Sequence, residues 1–205
     1  MTRPGSGPTL VTERLRLVPC SDEQVDRLHE MLTEGGVRRY LLDDRIVERS
    51  WVVDVVESSR RTFADAGFGL WCVLTRGDDE LAGLAGLRSF PGAREPQLLY
   101  VLHPAFWGRG LAAEASRAVT EYAFEELGFE ELLASTDSPN LASIRVMERI
   151  GMRFLEAGRM SGHALVLYRI SRSDWMRRRA AASAATGKTP AGEDRAPVSR
   201  AAREV

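Results

Sequence analysis

Apolar and polar positions change period several times along the chain, and each change predicts an element. Leu15 to Val18 read as a short strand closed by Pro19. Ser21 with Gln24 three residues later has the form of a capping box, Val25, Leu28 and Leu32 make an apolar stripe, and Gly35 is placed to stop that helix. Val52, Val55, Val56 and Phe63 predict a second helix from about Val47 to Ala66, ended by Gly67. Two apolar runs, Phe68 to Leu74 and Leu81 to Leu87, flank Gly77 and Asp78 and read as a hairpin. A further strand, Gln97 to Leu102, runs into a Gly-rich stretch, after which Ala115, Ala118, Val119, Tyr122 and Ala123 recur with helical spacing up to Gly128. The remainder predicts a strand (Leu132 to Thr136), a helix (Leu141 to Ile150, stopped by Gly151) and two strands (Met152 to Ala157, Ala164 to Ile170). The order β-α-α-β-β-β-α-β-α-β-β predicts an α/β (α+β) fold, with helices packed around a mixed sheet.

With 205 residues, 44% of them hydrophobic and 28% charged, the chain can build one core. The expected domain is 9–176. Residues 1–8 are rich in Gly and Pro, and the basic tail 177–205 has almost no large apolar side chains, so both are expected to be disordered. A formal charge of −1 gives no support to polyanion binding. The opening residues lack the apolar stretch of a secretory signal, and runs such as Leu70 to Leu74 are too short to span a bilayer. The expected compartment is therefore the cytoplasm. Cys20 and Cys72, and His29, His103 and His163, are scattered without ligand spacing, so no metal is expected.

Gly108-Arg109-Gly110-Leu111-Ala112 lies where a strand gives way to a helix, so free backbone N–H groups and the positive helix end can hold a phosphate or diphosphate. On its own a GxG here can equally shape a turn. A P-loop needs Lys and Ser or Thr after its last Gly, whereas Leu111 and Ala112 follow Gly110. Gly108, Gly110 and Ala113 fit a GxGxxA dinucleotide pattern, but His103 to Trp107 separate the first Gly from the strand. An NAD-dependent oxidoreductase is thus a distant alternative. Asn140 and Ser143, three apart at a helix start, share one face. Alone, such a pair reads as capping.

Tyr100 to Ala115, YVLHPAFWGRGLAAEA, followed by Asn140 to Met152, NLASIRVMERIGM, resembles the two signature motifs of GNAT acetyltransferases. The resemblance is nearest to the branch of ribosomal-protein N-terminal alanine acetyltransferases, and it extends from TERLRL to YRISRSDW. It implies a mixed, mostly antiparallel sheet flanked by helices on both faces. It further implies that Gly108, Arg109, Gly110, Leu111 and Ala112 bind the diphosphate of acetyl-coenzyme A through backbone amides. Val101 and Leu102 on a splayed strand would pair with the pantetheine arm, and Asn140 and Ser143 would line the groove near the thioester. Trp107 stands where many relatives have Gln or Arg.

Direct attack of an amine on a thioester needs a neutral nucleophile, a donor for the oxyanion and, optionally, an acid for the departing thiolate. Resemblance assigns the oxyanion donor to the Leu102 N–H and the thiolate partner to Ser143. Gln97 occupies the position where relatives often carry a Glu base, and an amide takes no proton. Glu95 shares its strand face if the strand runs through Pro96, and could then act through water. Otherwise the acceptor must be a weak base, such as a protein α-amine with a pKa near ~8. His103 is a minor candidate base and more commonly a turn element; Glu114 is expected to orient the loop, Tyr168 to sit in the core, and Arg145 and Arg149 to meet the 3′-phosphate or lie on a solvated face. The partners expected are acetyl-coenzyme A and an amine acceptor, a protein N-terminus or a small molecule, with no DNA, no membrane, and a homodimer left open. The missing Glu motivates an alternative of another class, a module that binds acyl-coenzyme A without turnover.

Overall fold

The computed structural model describes residues 7–90, 95–160 and 162–186. Eight strands form one sheet: β1 (Leu10–Val11), β2 (Leu15–Pro19), β3 (Leu70–Thr75), β4 (Leu81–Arg88), β5 (Gln97–Leu102), β6 (Glu131–Asp137), β7 (Arg153–Met160) and β8 (His163–Ser171), in the order β1-β2-β3-β4-β5-β6-β8-β7. Every neighbouring pair is antiparallel except β5 and β6. This is the mixed, mostly antiparallel sheet expected, and it has no room for the two parallel mononucleotide halves of a dinucleotide fold.

Strand residues alternate between two cores, as a pleat requires. Leu70, Cys72 and Leu74 of β3 join Leu84 and the apolar faces of α1 (Val25–Thr33), α2 (Gly35–Leu41) and α3 (Arg49–Ala66). Trp71 and Val73 turn the other way, toward α4 (Leu111–Glu125) and α5 (Leu141–Ile150). Helices therefore cover both faces. Cys20 and Cys72 meet in the first core with Sγ atoms 3.2 Å apart, and burial pushes the Cys20 thiol well above its usual value.

Three expectations need correction. The helix begun at Ser21 ends at Thr33, and Gly35 opens α2 instead of closing α1. Two adjacent glycines disfavour a helix locally, but a Cβ on Gly36 would lie 2.8 Å from the Trp107 ring, so tertiary packing requires the small residue. At the N-terminus, Gly7 and Pro8 are ordered, and the Pro8 carbonyl accepts the buried Trp71 indole N–H at 2.7 Å; residues 1–6 lie outside the described residues. At the other end the boundary expected at 176 falls inside a helix, α6 (Arg172–Thr186). Ser171 and Asp174 start it reciprocally: Asp174 N–H donates to Ser171 Oγ (3.1 Å) and the Ser171 hydroxyl donates to the Asp174 carboxylate (3.0 Å). Trp175 is 7% exposed and packs beside Phe124 of α4, and Arg179 pairs with Glu121 (2.9 Å) and Glu125 of the same helix. Residues 187–205 of the expected tail lie outside the described residues.

Docking of α6 therefore rests on one large aromatic. Trp175→Ala should lower unfolding free energy by about 3–5 kcal/mol in a urea titration; a loss below ~1 kcal/mol would mean that α6 does not contribute to the core.

Candidate active site

Geometry at the centre of the sheet is set by β5. Its β4 side is fully paired, from Arg88↔Gln97 to Gly83↔Leu102. On its β6 side the only bridge is Gln97↔Leu133, whereas β6 pairs with β8 along its whole length from Glu131 to Asp137. Beyond Gln97 the two strands splay apart. Alternate residues of a strand direct their backbone groups to opposite neighbours. His103 N–H donates to Ala82 C=O on β4 (2.9 Å), so Val101 and Leu99 face β4 as well, while Leu102 and Tyr100 face the opening. The Leu102 carbonyl accepts the Trp107 indole N–H there (2.7 Å).

This alternation separates two residues that were expected to act together. The backbone of Leu102 faces the cleft, but that of Val101 lies in the ladder opposite Leu84. Its side chain packs on the core below α1–α3. The backbone groups available beside Leu102 are those of Tyr100.

After β5 the chain makes one tight turn, Pro104–Phe106, with His103 Nδ1 accepting from Ala105 N–H (3.2 Å). His103 is thus a turn element. Gly108 and Gly110 both have φ of +76°, a conformation costly for other residues. The first helical bond of α4 runs from Glu114 N–H to Gly110 C=O (3.2 Å), which leaves the N–H groups of Leu111, Ala112 and Ala113 without a partner in the helix. Arg109 lays its guanidinium over Phe106, 5.4 Å from the ring centre.

Glu114 fixes this loop to the β1–β2 segment. Its carboxylate accepts from Thr12 Oγ1 (2.7 Å), Arg14 N–H (2.9 Å) and Arg14 Nε (2.7 Å), while Arg14 Nη1 donates to the Arg109 carbonyl (2.9 Å). Partial burial works to raise its pKa, but the bonds from Thr12 and Arg14 outweigh it and hold the carboxyl below the ordinary range.

Across the cleft, Asn140 caps α5: its Oδ1 accepts Ser143 N–H (3.2 Å), and its Nδ2 donates to Thr136 Oγ1 on β6 (3.1 Å). Ser143 Oγ lies 2.7 Å from the Tyr100 hydroxyl, which also donates to the Ser143 carbonyl (2.8 Å). Burial pushes the Tyr100 phenol well up, against a smaller opposing effect of Ser143, so it stays protonated at neutral pH. Sequence reasoning missed Tyr100 as a site residue. The signal was its place two residues before Leu102, on the same strand face.

The candidate bases separate from the site. The strand begins at Gln97, so Glu95 is not carried on the sheet and its side chain is exposed. Gln97 Oε1 accepts from Ser135 Oγ (2.9 Å), tying β5 to β6 at the point where they part. Tyr168 is buried, its hydroxyl 3.3 Å from Glu148. His163, at the β7–β8 turn, lies 3.6 Å from Asp43 in the α2–α3 loop, so the last hairpin reaches the helices on the first face of the sheet.

A central strand splayed from its parallel neighbour, opening onto a glycine-hinged, amide-lined helix start, defines an acyltransferase fold. The acetyltransferase (GNAT) domain family matches residues 14–153, and the chain belongs to that family. The FsC-acetyl coenzyme A-N(2)-transacetylase of Aspergillus fumigatus is 30% identical over 83% of this chain and 79% of its own. Among solved structures, an acetyltransferase from Agrobacterium tumefaciens superposes with a TM-score of 0.71 at 26% identity, over 80% of this chain and 94% of that one. A ribosomal α-N-protein acetyltransferase captured with coenzyme A shares the fold, with a TM-score of 0.69 at 15% identity, over 80% of this chain and 98% of that one. Among the described residues no group of three or more His, Cys, Asp or Glu is placed to hold a metal, and no helix is long and apolar enough to cross a membrane.

A carboxylate held below its unfolded pKa of about 4.3 adds stability that is full above that pH and is lost as pH falls through the folded value. Glu114→Gln should therefore be less stable than wild type at pH 7, by on the order of 1 kcal/mol, with the gap narrowing below about pH 4. A gap of constant size down to pH 3 in paired thermal melts would show that the carboxylate charge does not hold the loop.

Proposed function

We propose that this enzyme transfers acetyl from acetyl-coenzyme A directly to a primary amine, either a protein N-terminus or a small amine. The observation that carries the reading is two groups of backbone donors without a partner in sheet or helix, Tyr100 and Leu102 on the open side of β5 and Leu111, Ala112 and Ala113 at the start of α4, joined by one short turn. Together with Gly108, Arg109 and Gly110, the helix start suits a diphosphate: positive φ at both glycines turns the loop, and no neighbouring atom lies within 4 Å of where a Cβ on Gly108 would stand. The Aspergillus relative is an FsC-acetyl coenzyme A-N(2)-transacetylase, which supports the same donor.

Within the cleft, the amide groups of Leu102 and Tyr100 serve the cofactor arm and the thioester oxygen, where charge develops as the amine nitrogen bonds to the carbonyl carbon. The carbon–sulfur bond then breaks, the nitrogen that has become charged on attack gives up a proton, and the thiolate takes one up. Ser143 and Tyr100 form the hydroxyl pair that donates hydrogen bonds to the departing sulfur, and burial keeps the phenol protonated for that role. Asn140 acts at one remove, by holding the first turn of α5 and through it Ser143.

With Gln97 engaged by Ser135 and Glu95 off the sheet, the amine must arrive neutral. That favours acceptors of low pKa, α-amines near ~8 over lysine side chains near ~10.4. The alternative, a module that binds acyl-coenzyme A without turnover, draws on the same feature, Gln97 in place of a carboxylate. Both readings give cofactor-dependent thermal stabilisation; product formation separates them.

Incubation with acetyl-coenzyme A and a panel of peptides and small amines should give a product heavier by one acetyl group, with thiol released in equal amount. Thiol release no faster than hydrolysis for every acceptor would leave only the binding module. For an active acceptor, kcat/KM should rise with pH up to the acceptor's own pKa and move with it across acceptors; a fixed limb would place a base on the enzyme. Gly110→Glu should keep its fold and lose cofactor binding, since it puts a carboxylate beside the proposed diphosphate. Tyr100→Phe should retain cofactor affinity and lower kcat by on the order of tenfold to a hundredfold.

A further inference from the structure

Arg88 closes β4 on the face of the sheet that carries α1–α3. Leu87 and its partner Leu98 turn into the core under α4 and α5, so the next pair, Arg88 and Gln97, turns the other way. Ser135 of β6 shares that face, because Ala134 beside it packs in the same core as Leu98, and its hydroxyl reaches Gln97. Arg88 therefore stands beside the vertex at which β5 and β6 part. The core under α1–α3 extends across the sheet to Leu99 and Val101 and, among the described residues, takes in nothing from β6.

The charge of Arg88 is half-buried and uncompensated. Its guanidinium lies over the Phe90 ring, 5.7 Å from the centre, and burial alone holds it below the usual arginine range. Among the described residues it forms no ion pair. The position opposite belongs to Gln97, a neutral amide whose oxygen is taken by Ser135. Glu131 and Arg169, further along the same face, pair with each other (3.4 Å). A cation withdrawn from water without a counter-charge is costly, and an anion brought to it offsets the cost. Stacking on a ring leaves the in-plane N–H groups of a guanidinium for a carboxylate, whose two oxygens they match. Gln97 and Tyr100 are three residues apart, about 10 Å along a strand, a span that the arginine side chain and a small acceptor cover together. The glycine loop and α4 belong to the other face, so an acceptor that meets a thioester in the splay arrives from the Arg88 side. We propose that Arg88 anchors a carboxylate of the acceptor, so that the enzyme selects amines that also carry a carboxylate. The proposal rests on the reading of the chain as an acetyltransferase and names the acceptor class within it. Gln97 then has two effects: it provides no base, and it leaves Arg88 without a cross-strand counter-charge, which the acceptor supplies.

The test measures kcat/KM for acetyl transfer by the full chain at low salt, on short peptides whose α-amines have similar pKa. One pair sets Glu against Gln at the second position, and the other sets a free against an amidated C-terminus in a dipeptide, which distinguishes a side-chain carboxylate from a terminal one. Wild type should favour the carboxylate member of at least one pair by about tenfold, the scale of a charge-assisted hydrogen bond, and the preference should shrink with added salt. Arg88→Met, which keeps an apolar stem, should bring that ratio to about one by raising KM for the carboxylate member. Arg88→Lys should keep part of the preference because it keeps the charge. Equal rates within both pairs for wild type, or an equal loss on both members in Arg88→Met, overturn the anchor while leaving the transferase reading in place. If no member of either pair is acetylated the anchor falls, and the transferase reading falls with it only if the wider amine panel is inert as well.

Discussion

Backbone amides on the open side of β5 are the constraint from which the rest of the site follows. A sheet interior ordinarily satisfies every N–H, and an unpaired one away from water is costly. Here β6 commits all of its length to β8 and keeps one bridge to β5, so the sheet itself creates a slot with donors on one wall. The same divergence explains why the glycine loop follows where it does. The chain leaves β5 at His103, turns once, and enters α4, whose first three amides have no partner in the helix.

Much of the surrounding structure maintains that slot. Gln97 and Ser135 tie the two strands at the vertex. Tyr100 and Ser143 span the gap from β5 to α5, and Asn140 holds α5 to β6 through Thr136. Trp107 caps the last carbonyl of β5 and presses its ring against Gly36 of α2, so the loop that leads into α4 touches the helices packed on the other face of the sheet. Glu114 and Arg14 lock the loop from behind. Apart from that ion pair, positioning is by backbone and by neutral hydrogen bonds, and the absence of a carboxylate at Gln97 is consistent with chemistry that takes its neutral nucleophile from solution.

Electrostatics are distributed unevenly around this centre. On α6, Arg177 and Arg179 find partners on α6 itself and on α4, while Arg178 turns to Arg117 and to Arg149 beside Gly110. A chain of net charge −1 thus concentrates positive charge at one place, which overall composition conceals.

What the sequence by itself determined follows from short-range rules. Capping at Asn140, the glycine hinge at Gly108 and Gly110, the helix stop at Gly151 and the apolar runs of β3 and β4 flanking a turn depend on neighbours a few residues away, and they were legible there. The motif pair was legible for the same reason, and with it the family. Tertiary structure alone decided the register of β5 against β4 and the single bridge to β6. Those facts show that Leu102 and Tyr100, and not Val101, present free amides, since a one-residue change of register exchanges the two sets. It also decided α2, where Trp107 needs a glycine that local propensity reads as a stop, and α6, whose anchor, Trp175, acquires meaning only against Phe124. Contacts between residues far apart in sequence leave no periodic trace, and for that reason the pairing of Tyr100 with Ser143 and the gathering of Arg117, Arg149 and Arg178 emerged only from the fold.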